Sequence, residues 1–578
     1  MPLAEITEEV ESYDVTELAP DQLTFDLNVQ VPMRDGVTLL TDVYRPSEGA
    51  HPVIIMRNPY NRRGLVLMQL AKKLATRGWA VVMQNTRGRY GSGGTFRPFM
   101  DERNDGQDTL LWLSQLPWSN GRVVLLGWSY MAYANYLMMG DRLPHGIDIK
   151  AAACCMEVVN PFRAVFRSGA MLLHWALPWS IIVIGNNQKY LKPCWIEDGK
   201  KLSWDAIFST LPLSAVGKRL ALEIPQWEEW LSHPWYDTYW KRLNGEAEVS
   251  RASVPVLHVT GWFDGSLAQT IAAYQSMSSR LDNQQLIIGP WDHENIFQEL
   301  IKGILPPGKI KEVPYQGASF QLFNHIESWF RHWVNDDPDP ISRDAQVHYF
   351  VKGEDHWSRA SHWPPSTVHW TKLYLAQDGM LVPTHPPNQI ENSFLYDPKN
   401  PVPTIGGDVS HHDTLMPGPF DQRPVEHRPD TLAYSTPCLQ EPIKVAGPIK
   451  MVLFAATTAT DTDFTVKLVD VHPNQVSEIV QDGIIRGRYL ESSTQPKLLL
   501  PGHIYKFTVD LIATAHLFKP EHMIRVLVSS SNFPKFDRNL NTGKPFATDD
   551  EPVTAQQTIY AGGMYASYLE FPVVDESH

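Results

Sequence analysis

The chain has 578 residues, more than one hydrophobic core can organise, so we expect two to four domains. With 43% apolar and 20% charged residues, its composition excludes a disordered or fibrous protein. The net charge of −14 argues against non-specific binding to nucleic acid or to an anionic membrane.

Residues 1–22 predict a polar arm. Their acidic start lacks a basic region followed by an apolar one, so no signal peptide is expected. The longest apolar stretch, residues 171–185, is interrupted by polar residues and is too short to span a bilayer. The cysteines show neither a CxxC pair nor a metal-binding spacing, and we expect reduced core thiols of a cytoplasmic protein. They are Cys154, Cys155, Cys194 and Cys438.

A hairpin with the turn Arg34-Asp35-Gly36 comes first, and apolar strands then alternate with helices. The predicted strands are 53–56, 80–83, 123–126, 254–259 and 285–288, and the predicted helices are 65–76, 102–115, 130–140, 266–280 and 321–333. Continuously apolar strands separated by helices are typical of a parallel sheet covered on both faces. We therefore predict an α/β domain with a largely parallel sheet, formed by residues 23–147 and 249–352.

The alternation of strands and helices stops between residues 148 and 248, a segment rich in tryptophan that we interpret as an inserted helical cap. Its helices are expected at 157–167, 169–179, 205–208 and 226–231. Beyond residue 353, short strand-like segments are separated by Pro, Gly, Asn and Asp. This pattern predicts a C-terminal all-β domain, a sandwich or a jelly roll, over residues 353–578.

The strongest local signal is Gly127-Trp128-Ser129-Tyr130-Met131-Ala132, between an apolar strand and a helix. In α/β-hydrolases such a turn exposes a serine hydroxyl as the nucleophile, and small neighbours let the helix start pass close to the strand. Ser129 is thus the predicted nucleophile. The backbone N–H of Tyr130, directly after it, is the expected donor to the substrate oxyanion.

The acid and base of an α/β-hydrolase follow the serine in chain order, each at the carboxyl end of a strand. Asp264 follows the strand 254–259, and His293 follows the strand 285–288. Because such strands are usually neighbours, both side chains can reach the edge that holds Ser129. His293 would take the serine proton while Asp264 orients the imidazole.

Other residues compete less well for these roles. Asp292 is the second choice for the acid, and His258, inside a strand, is expected to be a packed core residue. His325 and His332 lie seven residues apart on one predicted helix. Their spacing matches no zinc motif, so they are expected on the helix surface.

Several further motifs make the chain similar to the cocaine esterase/NonD family of serine hydrolases. This group is related to X-Pro dipeptidyl peptidases, glutaryl-cephalosporin acylases and α-amino acid ester hydrolases. The motifs are residues 31–36, 43–46, 57–60, 87–94, 115–118, 127–130, 261–265, 289–293, 396–398, 421–423, 461–465, 468–471 and 530–539. The resemblance covers residues 22–575 and implies an α/β-hydrolase domain, a helical cap and a jelly roll.

Matched residue by residue, the resemblance implies a triad of Ser129, Asp264 and His293. It also implies an oxyanion hole formed by the Tyr44 hydroxyl and the Tyr130 backbone N–H. The family motif is G-x-S-Y-x-G, in which Ala132 stands where Gly is usual. Aromatic residues of the cap would line the acyl or alcohol pocket, and the candidates are Phe162, Phe166 and Trp175.

The leading hypothesis is a serine esterase or related amidase that forms an acyl-enzyme on a small-molecule ester or amide. No metal or organic cofactor is implied. Acyl transfer to an amine or alcohol, an X-Pro or aminoacyl peptidase, and a non-catalytic binding scaffold are the alternatives. The sequence leaves the oligomeric state open, a homodimer included, and leaves the substrate undefined.

Overall fold

The structure is a computed structural model that describes residues 17–184, 196–197, 200–302, 315, 317–335, 346–410 and 415–575. Most of the predicted N-terminal arm and Cys194 lie outside these residues. The described chain forms two compact units. The first comprises 1–159, 245–261 and 269–348, and the second comprises 160–244, 262–268 and 349–578, as far as these ranges are described.

The strands are numbered in chain order. They are β1 Leu23–Pro32, β2 Thr38–Pro46, β3 His51–Asn58, β4 Ala80–Asn85, β5 Ser119–Trp128, β6 Asp148–Cys155, β7 Phe166–Arg167, β8 Ala170–Met171, β9 Ile196–Glu197, β10 Lys200–Lys201, β11 Val256–Phe263, β12 Gln284–Asp292, β13 Val347–Val351, β14 His356–Ala360, β15 Val368–Leu375, β16 Leu381–Val382, β17 Ile390–Tyr396, β18 Leu432–Ser435, β19 Ile443–Thr457, β20 Asp463–Val471, β21 Ser477–Arg486, β22 Tyr505–Phe518, β23 Met523–Ser529, β24 Ala555–Ala561 and β25 Tyr568–Val574.

The α-helices are numbered in the same way. They are α1 Leu65–Thr76, α2 Glu102–Leu113, α3 Tyr130–Met139, α4 Pro161–Val165, α5 Leu173–Ile182, α6 Trp204–Phe208, α7 Val216–Leu220, α8 Pro225–Ser232, α9 Thr238–Leu243, α10 Glu246–Arg251, α11 Leu267–Ser278, α12 His293–Ile301, α13 Leu322–Asn335 and α14 Arg423–Glu426.

The first unit contains a mixed sheet in the order β1-β2-β4-β3-β5-β6-β11-β12. The hairpin strands β1 and β2 and the next pair, β2 and β4, are antiparallel. From β4 through β3, β5, β6 and β11 each pair is parallel, as the apolar strand runs predicted. Val53, Ile55, Val123 and Leu125 on the central strands are completely buried. The parallel part of the sheet therefore brings the carboxyl ends of β5 and β11 to one edge, and β12 lies next to β11 in the same sheet.

The second unit is all-β from β14 onward apart from the short helix α14 and 3₁₀ turns, within the described residues. One antiparallel sheet runs in the order β16-β15-β25-β19-β24-β17, with β22 paired to β19. The other is the antiparallel sheet β18-β23-β20-β21. A buried apolar core includes Leu453, Phe464, Phe507 and Val526, which confirms the all-β character of the C-terminal region.

The segment between β6 and β11 differs in detail from its prediction. A short helix, α4, and the two-residue strands β7 and β8 replace the helix expected at 157–167 and the first turn of the next one. Asn160 accepts the Phe162 N–H at 3.1 Å and Pro161 follows it, which starts α4 late. Ser168 and Gly169 then have φ of 47° and 87°, values that break a helix. The division into hydrolase, cap and jelly-roll domains stays a prediction.

Candidate active site

Ser129 lies in a strained turn between β5 and α3. Its φ and ψ are 54° and −121°, a conformation that a residue with a side chain adopts at a cost of about 1–3 kcal/mol. The turn is fixed on both sides, because the Ser129 N–H donates to the Cys155 carbonyl at 2.9 Å and the Ala132 N–H donates to the Ser129 carbonyl at 3.1 Å. The sequence prediction of a sharp strand-to-helix turn at this serine is therefore confirmed.

Gly127 explains why the turn needs a small residue before the serine. A Cβ at Gly127 would lie 2.7 Å from the Met131 carbonyl carbon and 2.8 Å from the Asn135 side-chain nitrogen. The start of α3 thus passes directly over the end of β5. Ala132, where the related family usually has Gly, is completely buried in this helix. Its methyl group is accommodated without interrupting α3, which runs on to Met139.

His293 is the first residue of α12, immediately after β12. Asp292, the second choice for the acid, serves as the N-cap of this helix. Its Oδ1 accepts the backbone N–H groups of Glu294 and Asn295, both at 2.8 Å, and its Oδ2 accepts the Asn295 side-chain amide at 3.0 Å. These hydrogen bonds satisfy the helix start and fix the backbone that carries His293.

Asp264 follows β11 and is completely buried, in a loop that belongs to the second unit. Its Oδ1 accepts the Ser266 backbone N–H at 2.6 Å and the Ser266 hydroxyl at 2.5 Å. Two neighbours anchor the same loop: the Trp262 indole donates to the Phe350 carbonyl at 2.7 Å, and Arg167 donates to the Gly265 carbonyl at 3.2 Å. Ser266 thus orients the carboxylate, and two further hydrogen bonds fix the loop that carries it.

Within the first unit, the ends of β11 and β12 approach each other closely. A Cβ on Gly261 would lie 2.7 Å from the Trp291 carbonyl carbon and closer still to its oxygen, so only glycine fits there. Gly261 precedes Asp264 by three residues, and Trp291 precedes His293 by two. Neighbouring strand ends at this edge agree with the predicted chain order of acid and base.

Tyr44 lies on β2 and is 2% exposed, with its ring 5.4 Å from that of Phe25. Its hydroxyl has no hydrogen-bond partner within the described part of the chain. Burial is the main cause that raises the pKa of Tyr44 above its usual value, so the hydroxyl keeps its proton at neutral pH.

Tyr130 contributes differently, because its side chain is used for structure. The hydroxyl donates to Glu102 at 2.8 Å and accepts the Phe99 N–H at 3.0 Å, while Arg57 lies 2.9 Å from the same buried carboxylate. Burial raises the pKa of Glu102. The backbone N–H of Tyr130 is among the first of α3, which find no acceptor within the helix itself.

The Glu102 network was missed at the sequence level. Glu102 and Arg57 are separated by 45 residues, and although Arg57 begins one of the family motifs, no local pattern indicates that the two side chains pair. The pairing of a completely buried Arg57 with a carboxylate behind the serine turn becomes visible only in the fold.

The predicted pocket aromatics lie in the second unit and pack among other rings. Phe162 stacks on Phe166 at 5.2 Å, and Trp175 stacks on Trp179 at 5.7 Å. Phe166 also lines a cavity of about 330 Å³ together with other residues of this unit, among them Phe208 and Phe546. Ser129, Asp264 and His293 are not among its lining residues, so the assignment of the three aromatic residues to a substrate pocket stays a prediction.

The predicted positions of the other histidines and of the cysteines are confirmed for some residues and wrong for others. His258 is completely buried between Glu157, at 2.8 Å, and Gln284, at 3.1 Å, which confirms a packed core residue. The surface position expected for His325 is wrong, because it is only 2% exposed on α13. A core position is confirmed for Cys154 and Cys155 but is wrong for Cys438, which is exposed.

In the part of the chain that the structure describes, none of the helices has the length and apolar character needed to cross a membrane.

A serine in a strained strand-to-helix turn, at the edge of a largely parallel sheet, defines a hydrolase with the α/β-hydrolase fold. Comparison with family profiles agrees with this class. The profile of the X-Pro dipeptidyl-peptidases (S15 family) matches residues 35–295. That of the X-Pro dipeptidyl-peptidase C-terminal non-catalytic domain matches residues 341–570.

Among characterised relatives, a cocaine esterase from Rhodococcus sp. (strain MB1 Bresler) is 32% identical over 95% of this chain and 98% of its own length. The chain belongs to the cocaine esterase family of serine hydrolases, and it is an ester hydrolase. An aminopeptidase from a Thaumarchaeota archaeon of marine sediment superposes with a TM-score of 0.83 at 25% identity, covering 96% of this chain and 97% of that one. An α-amino acid ester hydrolase shares the fold, with a TM-score of 0.81 at 24% identity over 99% of this chain and all of its own.

Proposed function

We propose that this protein hydrolyses carboxylic esters of small molecules through an acyl-enzyme formed on Ser129. The observation that carries the proposal is the backbone of Ser129, whose φ of 54° stores strain in a turn pinned by hydrogen bonds on both sides. Strain of this kind persists where a side chain must be presented in a defined direction. A serine needs an adjacent base to become nucleophilic, and His293 is that base in our proposal.

Asp264 is the acid that we assign to His293. Its Oδ1 accepts the Ser266 backbone N–H and the Ser266 hydroxyl, and these two hydrogen bonds orient the carboxylate. The close approach of Gly261 and Trp291 supports the pairing, because these residues precede the two catalytic positions by three and two residues. The capping hydrogen bonds of Asp292 argue against the alternative acid. The imidazolium would then return its proton to the leaving alcohol.

The oxyanion of the tetrahedral intermediate would be stabilised by two donors, the Tyr130 backbone N–H and the Tyr44 hydroxyl. Tyr44 is suited to this task because it is buried, stays protonated and has its hydroxyl uncommitted within the described residues. Donors fixed before the reaction need no reorganisation when charge develops on the substrate oxygen.

We propose an ester with an apolar or aromatic acyl or alcohol group as the substrate. The relative named cocaine esterase and the aromatic residues Phe162, Phe166 and Trp175 support this choice. A peptidase is the second candidate, because the S15 profile and the archaeal aminopeptidase both carry that activity in their names. Acyl transfer to an added amine or alcohol is the third outcome to be measured, and a binding scaffold is the non-enzymatic one.

We also propose that the enzyme is cytoplasmic. Because of its net negative charge, we expect it to bind neither nucleic acid nor a membrane surface.

The test is to label the purified protein with a fluorophosphonate probe and to assay p-nitrophenyl esters of graded acyl length beside aminoacyl p-nitroanilides. Ser129→Ala is expected to lose labelling, with a fall in kcat on the order of 10⁴ or more. Ser180→Ala is the matched control, because this completely buried serine hydroxyl donates within its own helix, to the Ala176 carbonyl at 2.7 Å.

Undiminished labelling of Ser129→Ala would contradict the assignment of the nucleophile. No labelling and no turnover by the wild type would favour the binding scaffold. Faster turnover of anilides than of esters would make the peptidase the better description, and an adduct formed with an added alcohol or amine would indicate acyl transfer.

A further inference from the structure

A cluster of histidine and carboxylate side chains lies at one end of the sheet β18-β23-β20-β21, and the proposed hydrolysis does not use it. Asp470 is on β20, His472 follows in the turn to β21, and Glu478 is on β21. His522 comes from a different connection, the turn between β22 and β23. All four belong to the second compact unit.

The ligand atoms of three of these residues are close enough to share one ion. The atoms offered by Asp470, His472 and His522 all lie within 4.8 Å of one another. His522 Nδ1 is 2.8 Å from Asp470 Oδ1, and the rings of His472 and His522 lie 4.7 Å apart. Asp470 is 2% exposed, and the two imidazoles are partly buried.

His472 occupies an unusual position between two carboxylates. Its Nε2 is 3.8 Å from Asp470 Oδ2 and 3.7 Å from Glu478 Oε2, which is too far for a hydrogen bond to either. Two ligand atoms bound to one tetrahedral zinc ion at 2.0–2.1 Å lie about 3.3 Å apart. Both distances from the imidazole are within about half an ångström of this separation.

The carboxylates of Asp470 and Glu478 lie close enough together to favour a bound cation. Asp470 and Glu478 are directly opposite partners on β20 and β21, where like charges repel each other. Lys352, the lysine whose charge acts most on Glu478, donates to the Val480 carbonyl at 2.8 Å and forms no ion pair with either carboxylate in the described structure.

We propose that Asp470, His472 and His522 bind a divalent transition-metal ion, with zinc as the best match and Glu478 as the fourth ligand. Imidazole nitrogens and carboxylate oxygens are the ligands that zinc takes in proteins, and four of them complete a tetrahedral structural site. His516 would orient the site, because its Nε2 lies 2.9 Å from Asp470 Oδ2 and ligating carboxylates are commonly held in this way. The bound ion would join the turn between β20 and β21 to the turn between β22 and β23.

The experiment uses the full-length chain without an affinity tag. The protein is stripped with EDTA, desalted, loaded with excess zinc chloride, desalted again and analysed by elemental mass spectrometry. We expect about one zinc ion per chain for the wild type, and less than about a tenth of that for His472→Ala and for His522→Ala. His369→Ala is the matched control, because His369 also contacts a carboxylate, that of Asp575 at 2.6 Å, but in an exposed pair without a second histidine.

A second measurement does not depend on how well the variants fold. Zinc that binds only the folded state should raise the Tm of the EDTA-treated wild type, and the rise should grow with the zinc concentration. Cobalt in the same site should show the intense visible absorption of a tetrahedral complex. Wild-type protein that retains no zinc after desalting would overturn the proposal, and so would equal zinc retention by His472→Ala, His522→Ala and the control.

Discussion

Tyr44 and Tyr130 allow catalysis and stability to be separated by the same chemical change. Tyr44→Phe removes a buried hydroxyl without a hydrogen-bond partner in the described structure, so no other group loses its partner. The free energy of unfolding should then change by less than about 0.5 kcal/mol. If the hydroxyl donates to the oxyanion, its loss should lower kcat by about 10²–10³, equivalent to about 2.7–4 kcal/mol of transition-state stabilisation.

Tyr130→Phe should give the opposite result. The change leaves the Glu102 Oε1, at 2.8 Å from the hydroxyl, and the Phe99 N–H, at 3.0 Å, without this partner. Each buried polar group left without a hydrogen bond costs about 1–3 kcal/mol, so Tm should fall by several degrees. The backbone N–H that we assign to the oxyanion hole remains, and kcat below the new Tm should change far less than in Tyr44→Phe.

The assay is the steady-state hydrolysis of a p-nitrophenyl ester at saturating concentration, with KM determined for each variant and Tm measured on the same samples. A kcat of Tyr44→Phe within threefold of the wild type would refute the role of this hydroxyl. A large loss of Tm in Tyr44→Phe would show that the hydroxyl is instead a structural group.

Two further predictions concern packing and pH. Gly261→Ala should destabilise the protein by more than about 3 kcal/mol, because its Cβ would collide with the Trp291 carbonyl group. In the control Gly265→Ala, the added Cβ meets no atom within 4 Å, so Tm should stay unchanged. Equal Tm values for the two variants would contradict the close approach of β11 and β12. Burial lowers the pKa of His325 to about 3. As pH falls below 6.5, this histidine therefore becomes protonated in the unfolded state but stays neutral in the folded state. This residue should cost the wild type about 2 kcal/mol of stability between pH 6.5 and pH 5. The urea midpoint of His325→Leu should therefore depend less on pH than that of the wild type. Identical pH profiles would refute a lowered pKa of His325 in the folded state.

Much of the first unit could be predicted because its local signals and its tertiary structure agree. The helix predicted at 65–76 is α1 with the same bounds, and the apolar runs at 80–83 and 123–126 lie inside β4 and β5. These strands are buried at those positions. A continuous apolar run indicates a strand that is buried on both faces. The antiparallel pairing of β2 with β4 is set by topology, which no local run encodes.

The cap segment was less predictable because turn residues override its helical composition. Asn160 and Pro161 delay α4, and Ser168 with a φ of 47° separates it from α5. His325 illustrates a second limit. A histidine on an amphipathic helix is expected on the polar, exposed face. In the fold, the His325 ring lies 5.4 Å from the ring of Phe320 and 6.3 Å from that of His348, and the residue is buried.

For the site, chain order and strand ends were sufficient to nominate Ser129, Asp264 and His293, because these features are local. The groups that hold them in place were not predictable, since Glu102, Arg57 and Arg167 act from distant parts of the sequence. The proposed zinc ligands lie outside sequence reasoning for the same reason. Asp470 and His522 are 52 residues apart and meet only because β20 pairs with β23.

The loop that carries Asp264 has a consequence for how this protein can be divided and recombined. Its anchors are the Phe350 carbonyl and Arg167, and Arg167 is itself held by the buried carboxylate of Asp408 at 2.9 Å. Asp408 in turn pairs with Lys535, deep in the all-β region. The support of residues 262–268 therefore depends on residues that follow them far along the chain. In protein engineering, a chimaera joined at residue 349 would keep Ser266 and Arg167 but would replace Phe350, Asp408 and Lys535, so the acid would lose part of its support.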